Sequence, residues 1–375
     1  MQPKQNIINL PVYQPGKPIE AVKRELGLTE VTKLASNENP FGSSTKAKDA
    51  IRAELEQISL YPDGGSFALS KVVAEHFGVE TNQLIFGAGS DEVILMIARA
   101  FLVADDENIM ATHTFPQYKH NAQIEGALSI EVPLVDGTHD LSSMLNKITE
   151  RTKIVWICNP NNPTGTMVGH QEVTAFMDQV PPYVLVVLDE AYAEYAVSEH
   201  YPDGIELLKQ YKNLVLLRTF SKIYGLASLR IGFGIGHPKV IHAINQVREP
   251  FNTSRFAQAA AVAALKDQDF ISFCREANAA GITYLTEQFD LLGLSYFPAH
   301  GNFIMVDVKR PADQLFDGLL RKGFIVRGGH MLGFPTSLRI TVGSREQNEQ
   351  FIQVLKQVIV EVDKEQVLTE VDKLL

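Results

Sequence analysis

Two apolar runs, each ending abruptly in polar residues, limit what this chain can fold into. The first, Tyr183-Val184-Leu185-Val186-Val187-Leu188, stops at Asp189-Glu190-Ala191-Tyr192. The second, Asn213-Leu214-Val215-Leu216-Leu217-Arg218, stops at Thr219-Phe220-Ser221-Lys222, and Arg230 follows eight residues after the lysine. Aliphatic and β-branched runs of this length, separated by a helix-length segment, read as parallel strands buried on both faces. Open α/β sheets bind their ligands outside the carboxyl ends of such strands. An acid, a phenol, two hydroxyls, a lysine and an arginine therefore converge on one crevice.

That set suits pyridoxal phosphate, which needs an amine for its aldehyde, an anion for its ring nitrogen, a donor for its ring oxygen and partners for its phosphate. Lys222 supplies the amine, Asp189 the anion and Tyr192 the donor, while Thr219, Ser221 and Arg230 meet the phosphate. Singly, each has a blander reading, because a lysine after a strand is mostly solvated and an aspartate there mostly caps a helix. Their joint spacing favours the cofactor. Asp189-Glu190-Ala191-Tyr192 followed by Ser221-Lys222 and Arg230 resembles the aspartate aminotransferase superfamily of fold-type-I pyridoxal phosphate enzymes. The resemblance implies an α/β fold, with a large lobe built on a mainly parallel central sheet flanked by helices and a small α+β lobe. The expected division is an amino-terminal arm over 1–35, a large cofactor-binding lobe over 47–270, and a small lobe from 36–46 and 271–375.

Length and composition agree with this. A chain of 375 residues, 45% hydrophobic and 21% charged, is long enough for two lobes. A formal net charge of −10 argues against a nucleic-acid or anionic-membrane partner. Cys158 and Cys274, distant and each among apolar residues, read as reduced core thiols; nothing has metal-type spacing, and no metal is expected. Met1-Gln2-Pro3-Lys4-Gln5 lacks the features of a signal peptide and no apolar run reaches membrane-spanning length, so a soluble, cytoplasmic protein is expected.

The loops carry further candidates. Residues 1–35 mix Pro, Gly and polar residues around one amphipathic segment, Ile19–Leu26, and read as a docking arm. Ser43-Ser44-Thr45-Lys46 matches the S-x-x-K of serine β-lactamases, but no K-T-G follows, and the segment reads as the start of a helix running to about Ile58. Gly87-Ala88-Gly89-Ser90-Asp91-Glu92 leads from a short strand into a helix over 93–101 and offers backbone donors to an anion, without the third glycine of a dinucleotide fingerprint. In the superfamily frame Ser90 and Asp91 cradle the cofactor phosphate. Phe115, in Thr114-Phe115-Pro116-Gln117-Tyr118, stacks on the ring, and Asn162, in Asn161-Asn162-Pro163-Thr164-Gly165, donates to the ring oxygen beside Tyr192. The resemblance also implies that Tyr61, before Pro62-Asp63-Gly64, reaches the cofactor phosphate of a neighbouring subunit, which makes the protein a homodimer with shared sites.

Residues beyond 302 read as short strands, with Ser344-Arg345-Glu346-Gln347 as a capping box for a last helix. Arg339, in Leu338-Arg339-Ile340-Thr341, stands where the superfamily grips the substrate's α-carboxylate; Arg327 supplies a second cation, and Arg218 is a third candidate outside any family binding position. Tyr13-Gln14-Pro15, Ser36-Asn37-Glu38-Asn39-Pro40, Tyr61-Pro62-Asp63, Gly89-Ser90-Asp91-Glu92 and the Arg327/Arg339 pair resemble the histidinol-phosphate aminotransferases over about residues 7–360. These exchange the amino group of L-histidinol phosphate with 2-oxoglutarate, giving imidazole acetol phosphate and glutamate, in histidine biosynthesis. Tyr13, Asn37, Arg327 and Arg339 are then the substrate residues. The alternative is an aromatic amino-acid aminotransferase acting on phenylalanine or tyrosine; a threonine-phosphate decarboxylase or a non-catalytic cofactor-binding regulator is less well supported, since no helix-turn-helix precedes the body.

Overall fold

The structure is a computed structural model that describes residues 1–12 and 17–374. The chain divides into two compact units, one of Met1–Val12, Gly42–Asn162 and Thr166–Cys274, the other of Tyr13–Phe41, Pro163–Gly165 and Arg275–Leu375. Of the first 35 residues, Met1–Val12 fall in the first unit and α-helix Ile19–Leu26 in the second.

The first unit is built on a seven-stranded sheet. Its order is Leu84–Gly87, Gly232–Gly236, Leu214–Thr219, Leu185–Asp189, Thr152–Cys158, Glu107–Ala111, Leu128–Val132. Both opening runs form fully interior strands that pair in parallel, as their continuous apolar character requires. Gly232–Gly236 runs against both its neighbours. Its amino end thus lies at the carboxyl ends of Leu84–Gly87 and Leu214–Thr219, with Gly232 opposite both Gly87 and Thr219. Arg230, two residues earlier, is delivered to the same edge. A Cβ at Gly232 would fall 2.4 Å from the Ser90 amide nitrogen, so only glycine lets the turn into helix Ser90–Phe101 lie against this strand.

Helix Ser90–Phe101 begins three residues earlier than expected, which puts Ser90 and Asp91 in its first turn. Its inner face (Val93, Ile94, Ile97) packs in one core with Tyr118, Trp156, Val187 and Leu217. The helix after Ser44 is shorter than expected, Thr45–Ala53, with a separate 3-10 turn at Leu55–Gln57. Ser44 caps it, also bonding to Asp267, and Lys46 pairs with Asp267 at 2.7 Å. The lysine of the S-x-x-K pattern is thus held in an ion pair, and the helix cap is Ser44, not the pattern's Ser43.

The second unit is α+β. Arg327–Gly328, Ser337–Thr341, Phe303–Asp307 and Ser295–Tyr296 form an antiparallel sheet, and Thr32–Lys33 pairs in parallel with Phe324–Ile325. Its core joins Ile304, Val306, Leu338 and Ile340 of the sheet to Leu315 and Leu319 of helix Ala312–Arg321 and Phe351 and Leu355 of helix Arg345–Leu374. The capping box forms as expected: the Gln347 amide donates to Ser344 Oγ (3.2 Å) and the Ser344 amide to Gln347 Oε1 (2.9 Å). Among the described residues no helix is long and apolar enough to cross a membrane.

Candidate active site

Asp189 ends its strand opposite Cys158 and is 3% exposed. Its carboxylate accepts from the Tyr118 hydroxyl (2.6 Å) and from the Ala191 amide (3.1 Å). Burial pushes its pKa up to about 6, more than these two donors hold it down. The nearby Lys222 charge also favours the carboxylate, but less than these donors do.

Glu190, next in the chain, is completely buried and faces a different partner. Arg218 donates to it from Nε (2.9 Å), with Nη2 in ion-pair contact at 2.8 Å, and donates to Glu194 from Nη1 (3.1 Å). Even so, burial lifts Glu190 to about 7. Arg218 is therefore committed to locking the segment after Asp189 in place, and it is withdrawn as a substrate cation.

Tyr192 is 4% exposed; Asn162 Nδ2 donates to its hydroxyl at 3.5 Å, and Lys222 Nζ lies 5.5 Å from its ring centroid. The strand ends at 158, 189 and 219 thus bring Asn162, Tyr192 and Lys222 together. The lysine is set by a tight turn, with the Gly225 amide bonded to its carbonyl (2.9 Å) and the Ser221 amide to Thr219 Oγ1 (3.1 Å).

Arg230 sits in the left-handed region (φ 51°, ψ 72°), which is uncommon outside glycine and marks functional sites. Its guanidinium donates to Ser221 Oγ (3.2 Å) and to Asp91 Oδ2 (3.0 Å). A Cβ on Gly89, itself at φ +82°, would lie 2.4 Å from Arg230 Nη2. Ser90, Thr219, Ser221 and Arg230 hence surround a helix amino terminus, a donor set that fits a phosphate. The Asp91 carboxylate is an acceptor and pairs with Arg230, so what it offers an anion is its amide. Together with the amine of Lys222 and the buried Asp189, these residues fit pyridoxal phosphate. Phe115 packs edge-on against Tyr118, with ring centroids 5.6 Å apart. Tyr61 is stacked on Phe251 (4.7 Å) and 79% exposed.

In the second unit Arg327 and Arg339 are direct partners across the antiparallel pair. Facing residues point to the same side of a sheet, so two guanidinium groups share one face. Arg339 is 8% exposed, bonded to the Ala35 carbonyl (2.7 Å), with its guanidinium over the Phe303 ring. Asn37 is held at φ 55° by Thr341, whose Oγ1 accepts from its amide (2.9 Å) and donates to its side-chain oxygen (3.0 Å). Tyr13 lies outside the described residues.

The aminotransferase class I and II family model matches residues 29–355. The chain belongs to this family. It is 57% identical over 359 residues to a histidinol-phosphate aminotransferase of Brevibacillus brevis, covering 96% of this chain and 99% of that one. The histidinol-phosphate aminotransferase of Bacillus subtilis strain 168 is 54% identical over 360 residues, at 96% and 100% coverage. Among solved structures, histidinol-phosphate aminotransferase from Sinorhizobium meliloti in complex with pyridoxal-5'-phosphate superposes with a TM-score of 0.88, at 28% identity, over 96% of this chain and 97% of that one. The expected α/β architecture is therefore that of an aminotransferase.

One residue of this aminotransferase site went unassigned in the sequence. Tyr118, fully buried and stacked on Trp156 (4.9 Å), gives Asp189 its hydroxyl bond. It stands three residues after Phe115, in the first turn of helix Gln117–Glu125.

Proposed function

We propose that this aminotransferase moves the amino group of L-histidinol phosphate to 2-oxoglutarate, giving imidazole acetol phosphate and glutamate, as a cytoplasmic enzyme of histidine biosynthesis. The observation that carries the substrate is the Arg327/Arg339 pair. Like charges directly opposite on a sheet repel, and a phosphate dianion is the ligand class that turns such repulsion into affinity. The substrate named for the full-length relatives at 54–57% identity has that group.

When bound, pyridoxal phosphate supplies the aldehyde that receives the amino group and a ring that draws electrons from the α-carbon. The chain's residues do the rest. Lys222 would hold the cofactor through its aldehyde, and its amine would carry the proton from the substrate's α-carbon. Asp189, oriented by Tyr118, would serve as counter-ion to the ring nitrogen. Tyr192 and Asn162 would donate to the ring oxygen, Phe115 would cover a ring face, and Ser90, Asp91, Thr219, Ser221 and Arg230 would anchor the phosphate. Asn37, Arg327 and Arg339, with Tyr13, bind the substrate.

Arg327→Ala should lower kcat/KM for histidinol phosphate by roughly ten- to a hundredfold, the worth of one charge-assisted hydrogen bond, and phenylalanine far less. Arg339→Ala should harm both substrates. Steady-state kinetics with both amino donors checks the contrast, and equal losses on both for Arg327→Ala would make Arg327 structural.

The same reading makes the protein a homodimer. Leu55, Ile58, Leu60, Tyr61, Phe67 and Phe251 are all exposed large apolar side chains, and a second copy is the partner that would cover them. Tyr61 then serves the other subunit's phosphate. Mixing Lys222→Ala and Tyr61→Phe subunits should rebuild one site in two with both native residues, and restore tight cofactor binding there. No gain after verified subunit exchange would place Tyr61 outside the partner's site.

A further inference from the structure

Behind the ring-oxygen donors lies a buried polar network that the reaction itself does not use. His139 is 6% exposed, and its Nε2 lies 3.2 Å from Asn161 Oδ1. The same oxygen accepts from Thr114 Oγ1 at 2.8 Å, while Asn161 Nδ2 donates to the His113 carbonyl at 3.1 Å. That last bond fixes which end of the amide is oxygen, so His139 must donate from Nε2. Burial supports this by pushing the His139 pKa down to about 4 and keeping the ring neutral. Its Nδ1 is buried and has no hydrogen-bond partner among the described residues. An unpaired buried nitrogen costs stability that a leucine of similar size would not. Packing alone does not account for a histidine here.

Asn161 ties together the turns that follow two separate strands. Thr114 immediately precedes Phe115, and Asn161 immediately precedes Asn162. The Asn161 amide also bonds to the Thr166 carbonyl (2.8 Å), and Thr166 Oγ1 donates to the carbonyl of Gly137, two residues before His139 (2.6 Å). We infer that His139 is a positioning residue: by fixing Asn161 it sets the placement of Asn162 against the ring oxygen of the cofactor. The inference rests on the proposed role of Asn162.

The readout is the pH midpoint of the holoenzyme's visible absorbance change, together with the Kd of the apoenzyme for pyridoxal phosphate. Donors at the ring oxygen stabilise its negative charge and loosen its hold on the neighbouring nitrogen-bound proton, so a misplaced Asn162 raises the midpoint. His139→Leu should raise it by about 0.5–1 pH unit and weaken cofactor binding roughly two- to tenfold. His139→Gln, whose amide can donate in place of Nε2, should stay at the wild-type midpoint. In the Asn162→Ala background, His139→Leu should add no further shift, which a general structural defect would. Should the leucine variant fail to fold, Thr114→Val removes the other donor to the same oxygen and should raise the midpoint in the same way. A midpoint moved by Asn162→Ala but by neither His139→Leu nor Thr114→Val, or an additive double variant, overturns the inference alone. An unmoved midpoint in Asn162→Ala overturns the role of Asn162, and the inference with it.

Discussion

Replacing Lys222 by alanine should lower turnover by roughly ten-thousandfold or more, because one amine both holds the cofactor and carries the α-proton. The loss should not come from an empty site. Ser90, Ser221 and Arg230 cluster around the amino terminus of helix Ser90–Phe101, and none of their contacts depends on the lysine side chain. Cofactor should therefore remain bound through its phosphate, but without the covalent link that borohydride reduces. Single-turnover absorbance and borohydride treatment of the variant separate these two properties. Near-normal turnover would remove Lys222 from the chemistry.

Asp189→Asn should produce the second largest loss, roughly a thousandfold in kcat, and with an opposite effect on stability. The folded-state pKa of Asp189, raised to about 6 from an ordinary 3.8, means that the fold favours the neutral acid. Its ionisation therefore costs stability above pH 6, and that cost fades as pH falls through 6 towards 4. In the cofactor-free protein the asparagine removes the cost, while the Tyr118 hydroxyl can turn from donor to acceptor. The variant's apoprotein should be more stable than wild type at pH 8, by on the order of 1–3 kcal/mol, with the difference shrinking towards pH 5. Thermal melts of both apoproteins across this range check the sign. A destabilised variant at pH 8 would mean that the carboxylate is a structural cap.

That Asp189, Tyr192 and Lys222 stand at or just after strand ends was legible in the sequence, because apolar runs that end in polar residues mark where strands stop. The Gly232–Gly236 strand was not, since glycine is depleted in strands. Its glycines answer to close approach: a Cβ at Gly234 would come within 3.0 Å of Ile85 Cγ2, and one at Gly236 equally close to Val215 Cγ2. Leu128–Val132 does alternate apolar and polar residues, but only over five positions at the sheet edge, where Leu128 is exposed, and so short a pattern does not stand out. Tyr118 and His139 escaped for a different reason. Aromatic and imidazole rings are ordinary core residues by composition, and only their hydrogen bonds to Asp189 and Asn161 reveal them. Arg218 looked like a ligand arginine because Glu190 and Glu194, which neutralise it, are not its neighbours in sequence.

The most direct test is a half-reaction followed by absorbance. Histidinol phosphate added to the holoenzyme without an oxo acid should bleach the visible band, and 2-oxoglutarate should restore it. The second-order rate should exceed that for phenylalanine by at least about tenfold, the contribution of one charge-assisted bond to the phosphate. A band that phenylalanine bleaches and histidinol phosphate leaves unchanged would contradict the assignment.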